Sequence, residues 1–406
     1  MQSAALFFFR YIMIAAAMAG ALYSGLLARA DWLFHLDTAT SVPAAVHLVP
    51  YNSAYLARLA SWEPEERNQL LHRAVELNPY DYESWIQLGL LSEMRQGDAK
   101  AAESDYLRAA AVNHMFLPKW TLTNFYFRQQ NATEFFHWAN ATLQITPYSS
   151  DPIFAQMWLM SQDAGKLAAV IPDRPRILLQ YAWYLSNNHQ FGAIPQTLQR
   201  LIAAVGEDNP RDWGRDDLIA SMVDRILADG DPHDALQVWS VLKDAGWIRQ
   251  RVPDSNRPLT NGDFHIPFFR HGFDWVPVDS AGVRVEQFPD EPVARITLSG
   301  DQPDHCVVLQ QYVPIEAGAA YHLQWQVKAQ NLTGESGLAW HLHPVQIKTT
   351  GDLVSGDLLA SPFAWKFRPS FAPPGFLLSL EYTRPLGHTR AAGVAMLQNV
   401  SLIRQP

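Results

Sequence analysis

Apolar residues recur at helical spacing through the first 246 positions of the chain. The clearest pattern begins at Trp85, which shares one face of a predicted helix with Leu88 and Gly89. That helix should end at Gly97, because glycine readily adopts the left-handed conformation found at helix C-termini. Asp98 can then cap the N-terminus of a second helix. The pattern predicts a helical hairpin with a tight turn.

The second helix of this hairpin carries an aromatic residue between small ones. Ala102, Tyr106 and Ala109 recur at helical spacing, so the facing helix can pack close to its backbone. The unit also repeats along the chain, since Pro79 and Pro147 are separated by two periods of about 34 residues. Helical segments continue to Gly246. The sequence therefore predicts a stack of helical hairpins.

These residues resemble tetratricopeptide repeats, whose signature combines a tryptophan, a Leu-Gly pair and an Ala-aromatic-Ala series. The sequence departs from that signature at His114, where a closing proline is expected. The resemblance implies an α-solenoid whose concave groove holds an extended peptide or a helix of a partner protein. The alternative is a generic bundle of helical hairpins without superhelical stacking.

The N-terminus is a long apolar run with a single charge, Arg10, before residue 28. We expect residues 5–27 to enter a membrane, because Tyr11–Leu27 is uncharged and reaches the lower limit for a spanning helix. Two interpretations remain open. The segment is an uncleaved anchor in the inner membrane, or it is a secretory signal cleaved after the A-x-A site that ends at Ala30. Both export the rest of the chain, to the periplasm or beyond the cell.

Beyond residue 252 the period of the pattern changes from helical to two-residue alternation. In Ala320–Ala329, apolar side chains alternate with polar ones, and Gly337–Val345 repeats the alternation. Several such runs separated by turns predict an antiparallel β-sandwich. The predicted fold class is thus multidomain α + β. The predicted domains are an N-terminal membrane helix (1–30), a solenoid (31–252) and a sandwich (253–406).

The sandwich segment resembles the jelly-roll carbohydrate-binding modules of secreted glycan-active proteins. The resemblance rests on LTNGDF at 259–264, GFDW at 272–275 and LQNVSL at 397–402. It implies a structural calcium near Asp263 and Asn399. Asn399 stands where the family usually has aspartate, and a neutral amide weakens a site for a hard cation.

A sugar site would combine an aromatic ring with side chains that bond hydroxyl groups. We expect Trp365, in a loop, to stack on a sugar ring. The expected hydrogen-bonding side chains, on outward strand faces, are Gln324, Gln326, His341 and His343. The alternative is a solvated outer sheet without a ligand. The two histidines also form a possible half-site for zinc, but the sequence reveals no third ligand.

Composition narrows the classes of function. The chain of 406 residues has a net charge of −9 and no Lys/Arg cluster, which argues against a nucleic-acid partner. Cys306 is the single cysteine, so no intramolecular disulfide can form. We recognise no nucleophile, phosphate-loop, metalloprotease or dinucleotide motif and predict no catalytic or cofactor-binding residues.

We therefore predict a non-enzymatic envelope scaffold that binds a protein partner through its solenoid and glycan through its sandwich. The combination resembles tetratricopeptide proteins of bacterial exopolysaccharide assembly and export systems, an analogy of architecture. Two alternatives remain. In one the sandwich is only a spacer within a protein-interaction scaffold. In the other the protein is a glycan-active enzyme whose paired carboxylates the spacing cannot reveal.

Overall fold

The structure is a computed structural model that describes residues 2–206, 216–288, 291–332, 335–345, 353–370, 373 and 375–406. The chain forms two compact units, Met1–Pro172 and Asp173–Pro406. The predicted change from helices to strands at 252/253 falls inside the second unit. The last four helices therefore share a compact unit with the strands.

The described part of the first unit consists of helices joined by short turns. They are α1 (Gln2–Leu36), α2 (Ser41–Leu48), α3 (Ser53–Trp62), α4 (Arg67–Leu77), α5 (Tyr82–Leu91), α6 (Ala99–Val112), α7 (Phe116–Arg128), α8 (Ala132–Leu143), α9 (Asp151–Ser161) and α10 (Ala164–Val170). Consecutive helices from α2 to α9 contact each other, so the hairpins stack in chain order.

The hairpin of α5 and α6 forms where the sequence predicts it. The side chain of Asp81 accepts hydrogen bonds from the first backbone N–H groups of α5. A π-helical turn, Ser92–Gln96, ends that helix at Gly97, whose φ is 67°. Asp98 then caps α6 by accepting from the N–H groups of Lys100 and Ala101. Both predictions for this turn are confirmed.

Helix α1 is longer than predicted, because it continues past residue 30 to Leu36. Within the described residues, its Phe9–Leu36 segment is the one helix long and apolar enough to cross a membrane. Its last turns instead pack onto the following helices. Ala30 is fully buried against α2 and α3, and the ring of Phe34 stacks on Tyr55 at 4.8 Å between centroids. The side chains of residues 5–8 of the predicted membrane segment lie outside the described part of the chain.

The described part of the second unit begins with four α-helices of 12 or 13 residues and continues as strands. The helices are α11 (Pro175–Asn187), α12 (Ile194–Val205), α13 (Asp216–Ala228) and α14 (Pro232–Asp244). The strands are β1 (Val276–Pro277), β2 (Val283–Phe288), β3 (Glu291–Ser299), β4 (His305–Val313), β5 (Tyr321–Gln330), β6 (Leu338–Pro344), β7 (Leu353–Asp357), β8 (Ala364–Phe367), β9 (Phe376–Thr383) and β10 (Ala392–Arg404).

The strands form two five-stranded antiparallel sheets. The first sheet has the order β1-β4-β9-β6-β7, and the second has the order β2-β3-β10-β5-β8. Their inner faces enclose one hydrophobic core that includes Trp275, Trp325 and Trp340. The predicted fold class is confirmed: a membrane-length helix, helical hairpins and an antiparallel sandwich.

The four edge strands, β1, β2, β7 and β8, are absent from the sequence prediction. Edge strands pair on one side only and bury little, so their apolar alternation is weak. Trp365 illustrates the consequence. The sequence places it in a loop, whereas the structure places it on β8, paired with Leu323 of β5.

Helices α13 and α14 pack against residues of the sandwich within the second unit. Trp239 of α14 is fully buried, and Gly272 approaches it so closely that a Cβ atom there would lie 2.5 Å from the ring. The hydroxyl of Tyr312 on β4 donates to the carbonyl of Leu227 on α13 over 3.3 Å. The backbone N–H of Gly272 donates to Asp224 over 2.6 Å. These helices are therefore an integral part of this unit.

Candidate functional site

The first unit carries a groove between α3 and α5. Its volume is 550 Å³, and α3 contributes a floor of small residues that includes Ala54, Ala57 and Ser61. The facing wall includes Glu83 and Gln87 of α5. Small residues one helical turn apart leave room for another chain to approach the helix backbone.

Aromatic and charged side chains surround one end of this groove. The lining there includes Phe34 and Tyr80, and the Tyr80 side chain is 78% exposed. Arg58 also lines it, and its guanidinium forms a two-pronged ion pair with Asp37. That pair lowers the pKa of Asp37, mainly through the hydrogen bond from Arg58. It holds the Arg58 side chain at the edge of the groove.

A second depression of 420 Å³ continues the groove along α5. Ser61 and Gln87 line both depressions, so the two form one continuous surface, which we call the α3/α5 groove. Two apolar side chains, Leu90 and Met94, are 40% and 62% exposed here. Basic and exposed apolar groups therefore lie side by side at this end, because the lining also includes arginines at positions 67 and 95.

The outer face of the first sheet carries a cluster of histidines around a buried carboxylate. Nε2 of His343 lies 2.5 Å from Oε1 of Glu381, and Nδ1 of His341 lies 3.8 Å from Oε2. Nε2 of His305 lies 3.6 Å from the same Oε2. Glu381 is only 3% exposed, and the hydroxyl of Ser379 donates to its Oε1 over 2.5 Å. We call these residues the His–Glu cluster.

Strand register explains why these side chains meet. His341 on β6 pairs with Ser379 on β9, and Ala339 pairs with Glu381, so His341, His343 and Glu381 share the outer face. Burial by itself raises the pKa of Glu381. Hydrogen bonds from His343 and Ser379 and the charges of the two β6 histidines outweigh it and lower the pKa to about 2. The carboxylate is therefore charged although it is buried.

The structure divides the predicted sugar site between two sheets. Gln324 and Gln326 lie on β5 of the second sheet, whereas His341 and His343 lie on β6 of the first. Trp365 shares the face of its partner Leu323, which is fully buried, and its ring packs on Phe367 at 4.4 Å. The tryptophan therefore faces the core side of β8. These five side chains do not form one site.

The two residues predicted for calcium lie on adjoining segments, Asp263 in a loop and Asn399 on β10. The backbone N–H of Val400 donates to the carbonyl of Gly262 over 2.8 Å, which places the loop before Asp263 against the β10 segment that contains Asn399. Their side chains have other partners. The carboxylate of Asp263 pairs with His265 at 3.2 Å, and the Asn399 amide donates to Gln326 over 2.9 Å. The calcium site stays a prediction from resemblance.

Of the residues predicted for repeat packing, Gly89 and Tyr106 meet between α5 and α6, whereas Leu88 and Trp85 pack against a hydrophobic cluster from α2, α3 and α4. Leu88, Gly89, Ala102, Tyr106 and Ala109 are all buried, while Trp85 is partly exposed. The indole N–H of Trp85 donates to the carbonyl of Pro79 over 2.9 Å. This interface positions α5, and with it one wall of the α3/α5 groove.

Sequence reasoning missed Glu381 and His305 as neighbours of the histidine pair. Glu381 lies in FLLSLEYT, where the one charged residue of a largely apolar strand was the available signal. Its position beside His341 depends on the β6–β9 register, which spacing does not reveal. Cys306, next to His305, points the opposite way into the sandwich core, and burial raises the pKa of its thiol.

Comparison with known proteins gives little further guidance. No protein-family model matches the chain, and no curated protein matches it. Among solved structures, Pseudomonas aeruginosa PilF is 17% identical over 54% of this chain and 93% of its own, with a TM-score of 0.25. The TPR domain of P58(IPK) is 14% identical over 54% of this chain and 72% of its own, with a TM-score of 0.21. Neither likeness bears on the function of this chain.

Proposed function

We propose that the protein is a membrane-anchored scaffold that binds an extended segment of a partner protein in the α3/α5 groove. The single observation that carries this proposal is the continuous, open surface between the two helices. Its small-residue floor admits a backbone, and its walls offer amide and carboxylate groups for hydrogen bonds. This role requires no catalytic step.

The chemistry of the groove also indicates what the segment contains. Leu90 and Met94 offer apolar surface, and burying such surface on binding is favourable by about 25 cal/mol per Å². Arg67 and Arg95 lie beside them and can pair with a carboxylate. The proposed ligand is therefore a peptide with an apolar side chain next to an acidic one.

Two Ala→Arg substitutions, one in the groove and one outside it, test this proposal. A photo-crosslinking amino acid is placed at Gln87 in the full-length protein, and crosslinks are analysed in native membranes. Ala54→Arg fills the groove, whereas Ala111→Arg adds the same side chain to an exposed position on α6. We expect one discrete crosslinked product that Ala54→Arg removes and Ala111→Arg retains.

A binding measurement then tests the ligand chemistry. Peptides that contain a Leu-Asp pair should bind the purified protein more tightly than Leu-Asn or Ser-Asp peptides, and Arg95→Gln should remove the advantage of Leu-Asp over Leu-Asn. Equal binding of all three peptides would contradict the proposed ligand chemistry. Crosslinking that is the same in the Ala54→Arg and Ala111→Arg proteins would show that the groove is not the docking surface.

Glycan binding by the sandwich and a place in polysaccharide assembly stay predictions from the sequence. Their support is the polar outer face of each sheet, with His341 and His343 on one and Gln324 and Gln326 on the other. A glycan array with the full-length protein tests them. Loss of binding in a double His→Ala variant or a double Gln→Ala variant would identify the sheet. No binding at millimolar sugar would contradict the role.

A further inference from the structure

The His–Glu cluster brings together the side chains that zinc-class metal ions prefer. The coordinating atoms of His341, His343 and Glu381 all lie within 4.8 Å of one another. Among the residues that the structure describes, it is the one group of three or more His, Cys, Asp or Glu side chains whose coordinating atoms lie this close together. Two imidazoles and one carboxylate suit zinc and its neighbours in the first transition row, and not calcium or magnesium.

We propose that His341, His343 and Glu381 bind a divalent transition-metal ion of the zinc class on the outer face of the first sheet. Three protein ligands leave one coordination position for water or a ligand atom, as in zinc sites that are not purely structural. The site is separate from the α3/α5 groove, so this inference does not depend on the proposed scaffold function.

The ligand atoms need only small movements to reach metal geometry. A tetrahedral zinc ion with bonds of about 2.0–2.1 Å holds its ligand atoms roughly 3.3 Å apart. The 2.5 Å distance between Nε2 of His343 and Oε1 of Glu381 must therefore lengthen. Distances among the three coordinating atoms that are longer than about 3.3 Å, all of them within 4.8 Å, must shorten. The two imidazoles are 15% and 28% exposed and nearly parallel, with ring centroids 5.6 Å apart. Side-chain rotation at this surface can make the adjustment.

Neighbouring groups support the carboxylate in the way that outer-shell residues support metal ligands. Ser379 donates a hydrogen bond to Oε1 of Glu381. Outer-shell partners of this kind orient the ligand and are worth about 10–100-fold in metal affinity. His305 stands beside Oε2 at 3.6 Å while its Nδ1 pairs with Thr383 Oγ1 at 3.0 Å. Glu381 is thus held in place from two sides.

Metal binding also has a defined proton balance. Without metal, Nε2–H of His343 donates to Glu381. To bind the metal through Nε2, a neutral His343 must move that proton to Nδ1, whereas a His343 protonated on both nitrogens must release one proton. Metal affinity should therefore rise with pH as the histidines lose their charge. A cluster that serves only as an ion pair would show no metal binding at any pH.

Cobalt titration of the full-length protein tests the site. The protein is purified in detergent with no polyhistidine tag, treated with a chelator and dialysed. We expect one equivalent of Co²⁺ to give the visible absorption of a low-symmetry nitrogen–oxygen site, and Zn²⁺ to displace it. His341→Asn and Glu381→Gln should each weaken binding at least about tenfold. His265→Asn should not, since that exposed histidine pairs with Asp263 elsewhere in the unit.

Folding of each variant is checked by thermal unfolding without metal. Because Glu381 is buried, its variant could fail to fold, so Ser379→Ala provides a milder change, with an expected loss of about tenfold in affinity. In the wild-type protein, Zn²⁺ should raise the unfolding temperature, because it binds the folded state. No saturable cobalt spectrum in the wild-type protein would overturn the proposal, as would an unchanged spectrum in folded His341→Asn.

Discussion

The ring of Tyr106 lies directly against the backbone of Gly89. A Cβ atom at Gly89 would lie 2.5 Å from Cε1 and 2.6 Å from Cδ1 of that ring. The ring cannot shift easily, because it is fully buried and its hydroxyl donates to Glu93 over 2.9 Å. The α5–α6 hairpin therefore depends on a residue without a side chain at this contact.

Gly89→Ala should accordingly destabilise the first unit. Alanine favours a helix over glycine by up to about 1 kcal/mol, but overpacking a core costs about 1–3 kcal/mol. We expect a net loss, measured as the free energy of unfolding in urea. In a Tyr106→Leu background the added methyl group has room, so the same substitution should cost less. Equal costs in both backgrounds would contradict this account.

The whole second unit should lose stability when the contact between α14 and the sandwich segment at Gly272 is removed. Trp239→Ala removes a fully buried side chain that packs on Gly272, which should cost about 3–5 kcal/mol. We expect faster hydrogen exchange in β4, where Tyr312 bonds to α13. Trp62→Ala in the first unit is the control and should leave β4 unchanged. Protection of β4 that survives Trp239→Ala would show that the strands fold independently of the helices.

Acid should lower the free energy of unfolding of the sandwich, because Glu381 becomes protonated. Its pKa falls from the ordinary value of 4.5 to about 2 in the folded protein. The ionised form therefore stabilises the fold by about 3 kcal/mol above pH 4.5, and this contribution is lost as the pH falls toward 2. Unfolding free energies measured across this range should fall more steeply for the wild-type protein than for Glu381→Gln.

A surface acid provides the control for that measurement. Glu316→Gln removes the exposed pair with Arg404 at 2.6 Å and should keep the wild-type slope. If the Glu381→Gln protein shows the same acid dependence as the wild type, the buried carboxylate is not the group responsible.

The N-terminal helix should remain attached to the mature protein. Ala30, the last residue of the candidate cleavage site, is fully buried within a continuous helix. Proteolytic cleavage favours exposed, irregular segments. We expect the intact mass of the protein extracted from membranes to include residues 1–30. A mature N-terminus at Asp31 would contradict the anchor and support secretion.

Much of the fold follows from local patterns in the sequence. The α5–α6 hairpin was predictable, because Gly97 and Asp98 act through the backbone conformation and the capping of their own segment. The central strands were predictable as well, since a strand with one buried face must alternate apolar and polar residues. The helix ending at Leu36 and the edge strand that holds Trp365 were missed, because packing on neighbouring elements stabilises them.

The sequence by itself determined the order of the elements: a long apolar helix, helical hairpins and then an antiparallel sandwich. Only the tertiary structure decided which polar side chains meet. Glu381 reaches His341 and His343 through the register of β9 on β6, and Gln324 and Gln326 are separated from them because β5 belongs to the other sheet. Spacing along a chain fixes which face a residue occupies within its own element. It cannot fix which element lies beside that face, because that choice depends on contacts between residues far apart in the sequence.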